Sequence, residues 1–470
     1  MIIEQIYTGC LAQGAYYIES EGEVAIIDPL REVHSYIAKA EKNNAKIKYI
    51  FETHFHADFV SGHLELSKKT GAKIVYGPNA NPTFDCILAK DGQLFEIGKI
   101  KIKVIHTPGH TMESSCFLLI DENNLENCIF TGDTLFIGDV GRPDLAQKSN
   151  LTIQDLAGFL YTSLHTKIIS LPDNLIVYPA HGAGSACGKN MSKETFDTLG
   201  NQKKSNYALQ PQSKEQFISN VTNGLTPPPY YFPKNVLINK TGAKSVEDVK
   251  TSVQALSPEA FEVAVNELGA VMIDTRSAQI FKDGFIPNSI NIGIKGDFAP
   301  WVGTLITDIE QPILFIADEE NIEEVITRLS RVGYDNIIGY LDGGLKNWIE
   351  KGKETDTIES ISAEDFAKIF TKTEGNILVK DVRKESEYTA EHVDNAECVT
   401  LAYLSNNMET FSKKEINYLY CAGGYRSMIA ASILKSRGFD NVIDISGGFA
   451  AIAKTNVLRS NFVCQSKLKV

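Results

Sequence analysis

Four short segments in the first part of the chain carry side chains that bind metal ions. The first is THFHADF at 53–59, which follows a predicted strand at 47–51. Alternate residues of an extended segment point to the same side, so His54, His56 and Asp58 could surround one metal centre. The spacing therefore predicts a metal-binding loop at the end of this strand.

The other three segments each place one metal-binding side chain after a predicted strand or turn. They are TPGH, TGD and PAH, which contribute His110, Asp133 and His181. A single turn histidine is usually bonded to a backbone carbonyl group, and this alternative applies to either histidine taken alone. Four such segments in one stretch of chain favour a shared metal site instead.

A different chemistry is predicted near the end of the chain, in YLYCAGGYRS at 418–427. Here Cys421 follows a predicted strand and begins a loop that contains Gly423 and Gly424 and ends at the start of a helix. This arrangement directs backbone N–H groups and the helix dipole toward the sulfur. It stabilises a thiolate or a persulfide anion, and Arg426 adds positive charge. The alternative is an inert cysteine buried at a strand end.

Short strands that alternate with helical patterns predict sheets packed against helices, of the α+β and α/β classes. The proline-rich GLTPPPYYFP at 224–233 cannot continue a helix, and we interpret it as a stiff linker rather than a partner-binding segment. Beyond it, LSPEAF at 256–261 and ISAEDF at 361–366 begin two copies of a small α/β unit. The predicted domains are therefore 1–235, 257–353 and 357–460.

The composition limits the class of partner. The 470 residues carry 46 basic and 59 acidic side chains, and the net charge of −13 argues against a nucleic-acid surface. Eight cysteines without a CxxC pair do not form a disulfide framework, and the apolar runs are shorter than the ~20 residues that cross a bilayer. We expect a cytoplasmic homo-oligomer that acts on small molecules, with neither nucleic acid nor membrane as a partner.

The order of the four metal-binding segments resembles the metallo-β-lactamase family over about 1–235. The resemblance implies an αββα sandwich for this region. Dizinc hydrolases of the family usually continue the first motif as HxHxDH, whereas Phe59 stands at the last position here. The second metal position then lacks a ligand, which disfavours a dinuclear hydrolytic centre, although His63 is an alternative donor.

ETHFHADFVSGH at 52–63 and GDVGRPDL at 138–145 resemble the persulfide dioxygenases. The resemblance implies one Fe(II) per chain, O₂ as co-substrate, and oxidation of a low-molecular-weight thiol persulfide, of glutathione, coenzyme A or a similar thiol, to sulfite. Two histidines and one carboxylate with open positions suit this chemistry. The implied iron ligands are His54, His110 and Asp133. The residues implied beside them, as further ligand candidates, are His56, Asp58 and His181.

The motif CxxGxRS at 421–427, together with DVR at 381–383, resembles the rhodanese sulfurtransferases over about 357–460. The resemblance implies that Cys421 carries sulfane sulfur within a loop completed by Gly423, Gly424 and Arg426. The corresponding loop of the earlier copy is ADEEN at 317–321, which has three acids and no cysteine. We expect that copy to be inactive in sulfur transfer and to position the other two domains.

Two further residues have open interpretations. Arg142 in the GRPD loop either binds an acidic thiol carrier or forms a structural ion pair. Cys187 lies six residues after His181. It is either an incidental thiol or a redox thiol that carries persulfide near the metal.

The whole chain is similar to persulfide dioxygenase–rhodanese fusions of the bacterial sulfide-oxidation type. Such a protein would oxidise a thiol persulfide at the metal and move sulfane sulfur through Cys421, either onto sulfite as thiosulfate or toward the iron. One alternative is a dizinc thioester hydrolase of the glyoxalase II type joined to a rhodanese. Another is a non-catalytic sulfur carrier or scaffold.

Overall fold

A computed structural model describes residues 1–145 and 151–463 of the chain. These residues form two compact units. The first contains Met1–Val249 together with Ile306–Ile309 and Thr327–Asp335, and the second contains the rest of the described chain. Within the described residues, every helix is too short or too polar to cross a membrane.

The first unit is built on two six-stranded sheets, in which neighbouring strands are also consecutive in the chain. The first sheet consists of β1 (Ile2–Thr8), β2 (Gln13–Ser20), β3 (Glu23–Ile27), β4 (Lys46–Glu52), β5 (Lys73–Tyr76) and β6 (Ile87–Leu88). The second consists of β7 (Leu94–Ile97), β8 (Ile100–His106), β9 (Ser115–Ile120), β10 (Glu126–Gly132), β11 (Ile176–Pro179) and β12 (Asp197–Thr198). The inner faces meet through aromatic side chains, with the ring centroids of Phe51 and Phe117 4.9 Å apart.

Helices cover the outer faces of both sheets. They are α1 (His34–Lys42), α2 (His63–Thr70), α3 (Ile153–Ser163), α4 (Leu199–Ser205), α5 (Lys214–Thr222), α6 (Phe232–Thr241) and α7 (Val246–Ser252). Tyr36 and Leu66 of α1 and α2 pack against the first sheet, and Leu160 and Phe217 of α3 and α5 pack against the second. The four layers confirm the αββα sandwich.

The proline-rich segment leads into α6, which returns to the first unit. Pro233 lies in the first turn of α6, where its missing N–H group removes no helix hydrogen bond. Asn239, near the end of the same helix, bonds to the loop after β4. The residues after the prolines are therefore part of the metal-site scaffold rather than an extension of the linker.

The second unit contains two five-stranded parallel sheets with the same strand order, as the internal repeat predicts. The first copy has β13 (Gln254–Leu256), α8 (Pro258–Leu268), β14 (Val271–Asp274), α9 (Ala278–Phe281), β15 (Ile290–Asn291), α10 (Phe298–Leu305), β16 (Ile313–Ile316), α11 (Ile322–Arg331), β17 (Ile337–Leu341) and α12 (Gly344–Glu350). The second has β18 (Glu359–Ile361), α13 (Ala363–Lys372), β19 (Leu378–Asp381), α14 (Glu385–Ala390), β20 (Glu397–Cys398), β21 (Asn417–Tyr420), α15 (Tyr425–Ser436), β22 (Val442–Ile445) and α16 (Gly448–Ile452). Both central strands, ILFI and NYLY, are buried throughout, as parallel strands covered on both faces must be.

Candidate metal centre and thiol site

The metal-binding loop, residues 53–62, begins where β4 ends and leads into α2. His54 comes from this loop, His110 from the turn after β8, and Asp133 from the end of β10. Their ligand atoms lie within 4.8 Å of one another. Nε2 of His110 is 3.4 Å and Nε2 of His54 is 3.8 Å from Asp133 Oδ2, and all three residues are at most 2% exposed. The fold thus brings together the three residues that the sequence predicts as ligands.

Hydrogen bonds decide which ring nitrogen of each histidine faces the centre. Thr53 donates its hydroxyl proton to Asp28 at 2.8 Å, so the 3.0 Å contact with His54 Nδ1 requires the imidazole to be the donor. His110 Nδ1 likewise donates to the carbonyl oxygen of Arg142 at 2.8 Å. In both rings Nε2 therefore keeps its lone pair and faces the centre, as metal ligation requires.

A second group of ligand atoms adjoins the first through Asp133. Nε2 of His181 lies 3.5 Å from Asp133 Oδ1 and 3.3 Å from Asp58 Oδ2. His56 forms a buried group with Asp58 and His181, and the Cys187 sulfur forms another with Asp133 and His181. The centre therefore holds more potential ligands than one ion needs.

Cys187 adds a potential ligand that the inference from Phe59 did not include. The sequence predicts that the second metal position lacks a ligand because phenylalanine replaces the last histidine of HxHxDH. The fold instead brings a thiol to this position from a loop six residues after His181. Phe59 packs its ring on His56, with the centroids 4.3 Å apart. Its presence does not by itself exclude a second ion.

The residues of the centre fit a bound cation. Several buried polar atoms have no hydrogen-bond partner among the described residues: both carboxylate oxygens of Asp133, Oδ1 of Asp58 and both ring nitrogens of His181. Leaving a buried polar atom unpaired costs about 1–3 kcal/mol. A metal ion ligated by these atoms removes that cost.

Burial and neighbouring charges set the protonation of two histidines of the centre. Burial, together with the neighbouring His56, lowers the pKa of His54 well below its usual value, which favours the neutral ligand form. Burial also opposes protonation of His56, but Asp28 at 3.1 Å and Glu52 at 3.6 Å outweigh it and raise the pKa of His56 to about 9. Sequence reasoning gave neither acid a role: Glu52 only begins the ETHFHADFVSGH segment, and Asp28 lies outside every motif.

Two contacts from later in the chain hold the metal-binding loop, and sequence reasoning missed them as well. Asn239 of α6 donates to the carbonyl oxygens of His56 and Phe59, each at 2.8 Å. Its own side-chain oxygen accepts from the N–H group of residue 61 at 2.8 Å. The carbonyl oxygen of Arg331 accepts from the N–H group of residue 60 at 2.7 Å. These contacts use loop backbone groups and leave no motif in the sequence.

Arg142 is buried, and its guanidinium group is already bonded. It makes two hydrogen bonds to Asp144, at 2.7 and 2.6 Å, and also donates to the carbonyl oxygens of Ala186 and Thr226. This geometry favours the structural ion pair over binding of a thiol carrier. The main-chain carbonyl of Arg142 has a further effect, because it orients His110.

Cys187 is 1% exposed, and its surroundings are acidic. Burial, followed by the charges of Asp58 and Asp133, raises the pKa of its thiol. The fold therefore places this thiol inside the centre, where a cation would favour its thiolate. Its role as a redox thiol stays a prediction.

The thiol site lies between β21 and α15. The N–H group of Gly424 donates to Cys421 Sγ at 3.1 Å, and Gly424 has a φ of 101°, in the region that favours glycine. Ser427 has its hydroxyl oxygen 3.5 Å from the same sulfur and donates to Asp444 at 2.6 Å. The sulfur thus lies at the N-terminus of a 12-residue helix, where an anion is stabilised.

The other predicted residues of this loop differ in their surroundings. Gly423 is exposed at the tip. Arg426 makes two hydrogen bonds to Glu387, at 2.6 and 2.8 Å, so its charge is balanced within the domain. Sequence reasoning gave Ser427 no role, although it ends the CxxGxRS motif, and it missed Asp444, which lies outside every motif.

The corresponding turn of the first copy follows β16 and contains Asp318, Glu319 and Glu320, all exposed. Three negative charges repel an anionic sulfur compound. The two copies still share a buried ion pair after the second strand, Asp274–Arg276 in the first and Asp381–Arg383 in the second. The first copy keeps the scaffold of the second but has no cysteine in the corresponding turn.

Family models match two parts of the chain. Residues 8–181 match the metallo-beta-lactamase superfamily, and residues 257–351 and 362–455 match the rhodanese-like domain. A crystal structure of a metallo-beta-lactamase from Staphylococcus aureus is 30% identical, with a TM-score of 0.64. That match covers 73% of this chain and 98% of the other.

Curated relatives match about a third of the chain. A probable hydroxyacylglutathione hydrolase of Schizosaccharomyces pombe is 33% identical over 166 residues, which are 35% of this chain and 60% of the relative. The mitochondrial persulfide dioxygenase of Bos taurus is 33% identical over 161 residues, 34% of this chain and 59% of the relative. The chain thus spans about 60% of the length of these two proteins. Further relatives include more hydroxyacylglutathione hydrolases.

Proposed function

Because the chain belongs to the metallo-beta-lactamase superfamily and carries two rhodanese-like domains, we propose that it oxidises a low-molecular-weight thiol persulfide and transfers sulfane sulfur. The observation that carries this proposal is the buried set of His54, His110 and Asp133, in which two Nε2 lone pairs and one carboxylate converge. Such a donor set leaves open positions on one iron. The persulfide dioxygenase among the relatives supports it.

A ferrous ion held by these three residues would supply the redox chemistry with O₂. The balanced reaction is R–S–S⁻ + O₂ + H₂O → R–S⁻ + SO₃²⁻ + 2 H⁺, in which the terminal sulfur is oxidised and the S–S bond breaks. Thr53 and the Arg142 carbonyl hold the two histidines in the ligating tautomer. The burial of the ligands keeps bulk water away from the reacting sulfur.

In the second rhodanese-like domain, Cys421 would carry the sulfane sulfur as a persulfide anion. The Gly424 N–H group and the start of α15 would stabilise that anion. Sulfite would then take the terminal sulfur: Cys–S–S⁻ + SO₃²⁻ → Cys–S⁻ + S₂O₃²⁻. The electron pair of the broken S–S bond stays on Cys421, which returns to the thiolate.

Oxygen uptake and product analysis test the proposal. The Fe(II)-loaded chain, supplied with glutathione persulfide, should consume O₂ and release sulfite and thiosulfate. His110→Ala should lower oxygen uptake on the order of 100-fold or more, whereas exposed His34→Ala should not. Cys421→Ser should lose thiosulfate while keeping oxygen uptake, with half-buried Cys398→Ser as its matched control. A chain that takes up no O₂ with Fe(II) but hydrolyses thioesters with Zn²⁺ would contradict the proposal.

A second candidate is a thioester hydrolase with two zinc ions. Two observations favour it: the hydroxyacylglutathione hydrolases among the relatives, and the thiol of Cys187 beside Asp133 and His181. His181, Asp58 and Cys187 would hold the second ion, with Asp133 between the two positions. Metal analysis of the chain as purified, before any metal is added, separates the candidates, because the oxygenase needs one iron per chain and the hydrolase needs two zinc ions.

A further inference from the structure

We propose that the cysteine-free rhodanese-like copy is a working part of the sulfur-transfer site. Its Gly293–Gly296 segment seats the ring of Tyr425 and thereby positions the loop that holds Cys421. Gly293, Gly296 and Tyr425 all lie in the second compact unit. The inference rests on the sulfur-transfer half of the proposed function and assigns a role to a domain that has no thiol in the corresponding loop.

The ring of Tyr425 lies directly on two glycines of the cysteine-free copy. A Cβ atom at Gly296 would lie 2.5 Å from Cε2 and 2.9 Å from Cε1 of that ring. A Cβ atom at Gly293 would lie 3.2 Å from the Arg276 carbonyl oxygen and 3.4 Å from Cε2, the latter an ordinary contact distance. Neither glycine has a positive φ, so the backbone does not require glycine at either position. At Gly296 the ring of Tyr425 occupies the space that a side chain would need.

Hydrogen bonds tie the same helix to the cysteine-free copy at two points. The Tyr425 hydroxyl group donates to the carbonyl oxygen of Gly293 at 2.9 Å. Two turns later in α15, the Ser432 hydroxyl oxygen accepts from the N–H group of Asn291 in β15 at 3.0 Å. The first copy therefore fixes both the start and the middle of the helix that carries the thiol loop.

The position of Tyr425 controls a donor to the sulfur. Gly424, whose N–H group donates to Cys421 Sγ, is the residue directly before Tyr425. A displaced ring would pull on this peptide and lengthen the 3.1 Å contact. Preorganised donors lose their effect steeply with displacement, and a shift of about 1 Å can cost on the order of 100-fold in rate. Gly293 and Gly296 are therefore positioning residues for sulfur transfer.

Gly296→Ala in the full chain tests the inference. We expect kcat/KM for sulfur transfer from thiosulfate to cyanide to fall about tenfold or more. The pH midpoint for alkylation of Cys421 by iodoacetamide should rise, because the thiolate loses its donor. Oxygen uptake by the metal domain should stay unchanged. Gly284→Ala is the matched control in the same copy, since a Cβ atom there would meet only Leu345 Cδ2, at 3.7 Å.

A double-mutant cycle shows whether the effect passes through the ring. Tyr425→Ala removes the ring, so adding Gly296→Ala to it should cause no further loss. Wild-type transfer by Gly296→Ala, or losses that add in the double variant, would overturn the inference. If the unmodified chain transfers no sulfur, the proposed function fails. In that case an unchanged alkylation midpoint in Gly296→Ala would still refute the positioning role, and a raised one would support it.

Discussion

Replacing Asn239 by alanine should release the metal-binding loop from α6 and weaken metal binding. The side chain is 1% exposed and makes three hydrogen bonds to the loop, to His56, Phe59 and Ser61, each at 2.8 Å. At about 1 kcal/mol of net stability for each bond, the free energy that holds the loop closed falls by about 3 kcal/mol. That free energy corresponds to opening of the loop on the order of 100-fold more often.

Two measurements check this prediction. Hydrogen exchange in residues 53–62 should accelerate up to about 100-fold, and the metal dissociation constant should rise about 10- to 100-fold. Asn235→Ala is the matched control one helical turn earlier, because neither polar atom of the Asn235 side chain has a hydrogen-bond partner among the described residues. Fluorescence of Trp301 and Trp348, which lie in the second unit, should not change. Unchanged exchange in 53–62 for the Asn239 variant, or equal losses in both variants, would refute the reasoning.

Three further changes have expected outcomes. Gly141→Ala should abolish tight metal binding, because a Cβ atom there would lie 2.9 Å from His110 Nδ1 and closer still to the Asp133 carbonyl oxygen. Metal analysis checks it, and a wild-type metal content would contradict it. Burial raises the pKa of Asp444, because the buried carboxyl group is more stable in its protonated form. The stability that protonated Asp444 contributes is present below about pH 4 and is lost as the pH rises through the folded-state pKa. Asp444→Asn should therefore raise the urea midpoint at pH 7.5 more than at pH 4.5, and an equal shift at both would count against this. Arg426→Lys loses the two-bond pairing with Glu387 and should lower kcat/KM of sulfur transfer on the order of tenfold with oxygen uptake unchanged.

The fold could be predicted where the burial of a strand or helix matches a simple sequence period. In β8 the sequence IKIKVIH alternates between buried isoleucines and partly exposed lysines, so its strand character is visible. The N-terminal pair β1 and β2 was not predicted. The β2 strand is buried along nearly its whole length and lacks alternation, while β1 is an edge strand with mixed exposure.

The candidate site was predictable to the extent that its chemistry dictates residue types. Metal ligation needs imidazole and carboxylate groups at strand ends, so His54, His110 and Asp133 stand out in the sequence. Asn239 does not, because it acts through loop backbone groups that every residue possesses. The contact between Gly296 and the ring of Tyr425 does not stand out in the sequence either, because only the packing of the two copies brings these residues together.

Whether a second metal ion binds beside His181 and Cys187 decides between the proposed oxygenase and the proposed hydrolase. An oxygenase needs one ion with open positions for two reactants, whereas a dinuclear hydrolase needs a second ion to share the bridging carboxylate. Phe59 supplies no ligand, but Cys187 supplies a thiol, and soft thiolate ligands select zinc over ferrous iron. The same chain could therefore hold one ion when loaded with iron and two when loaded with zinc. Cys187→Ser separates these states, since it should remove the second zinc and leave the single iron in place.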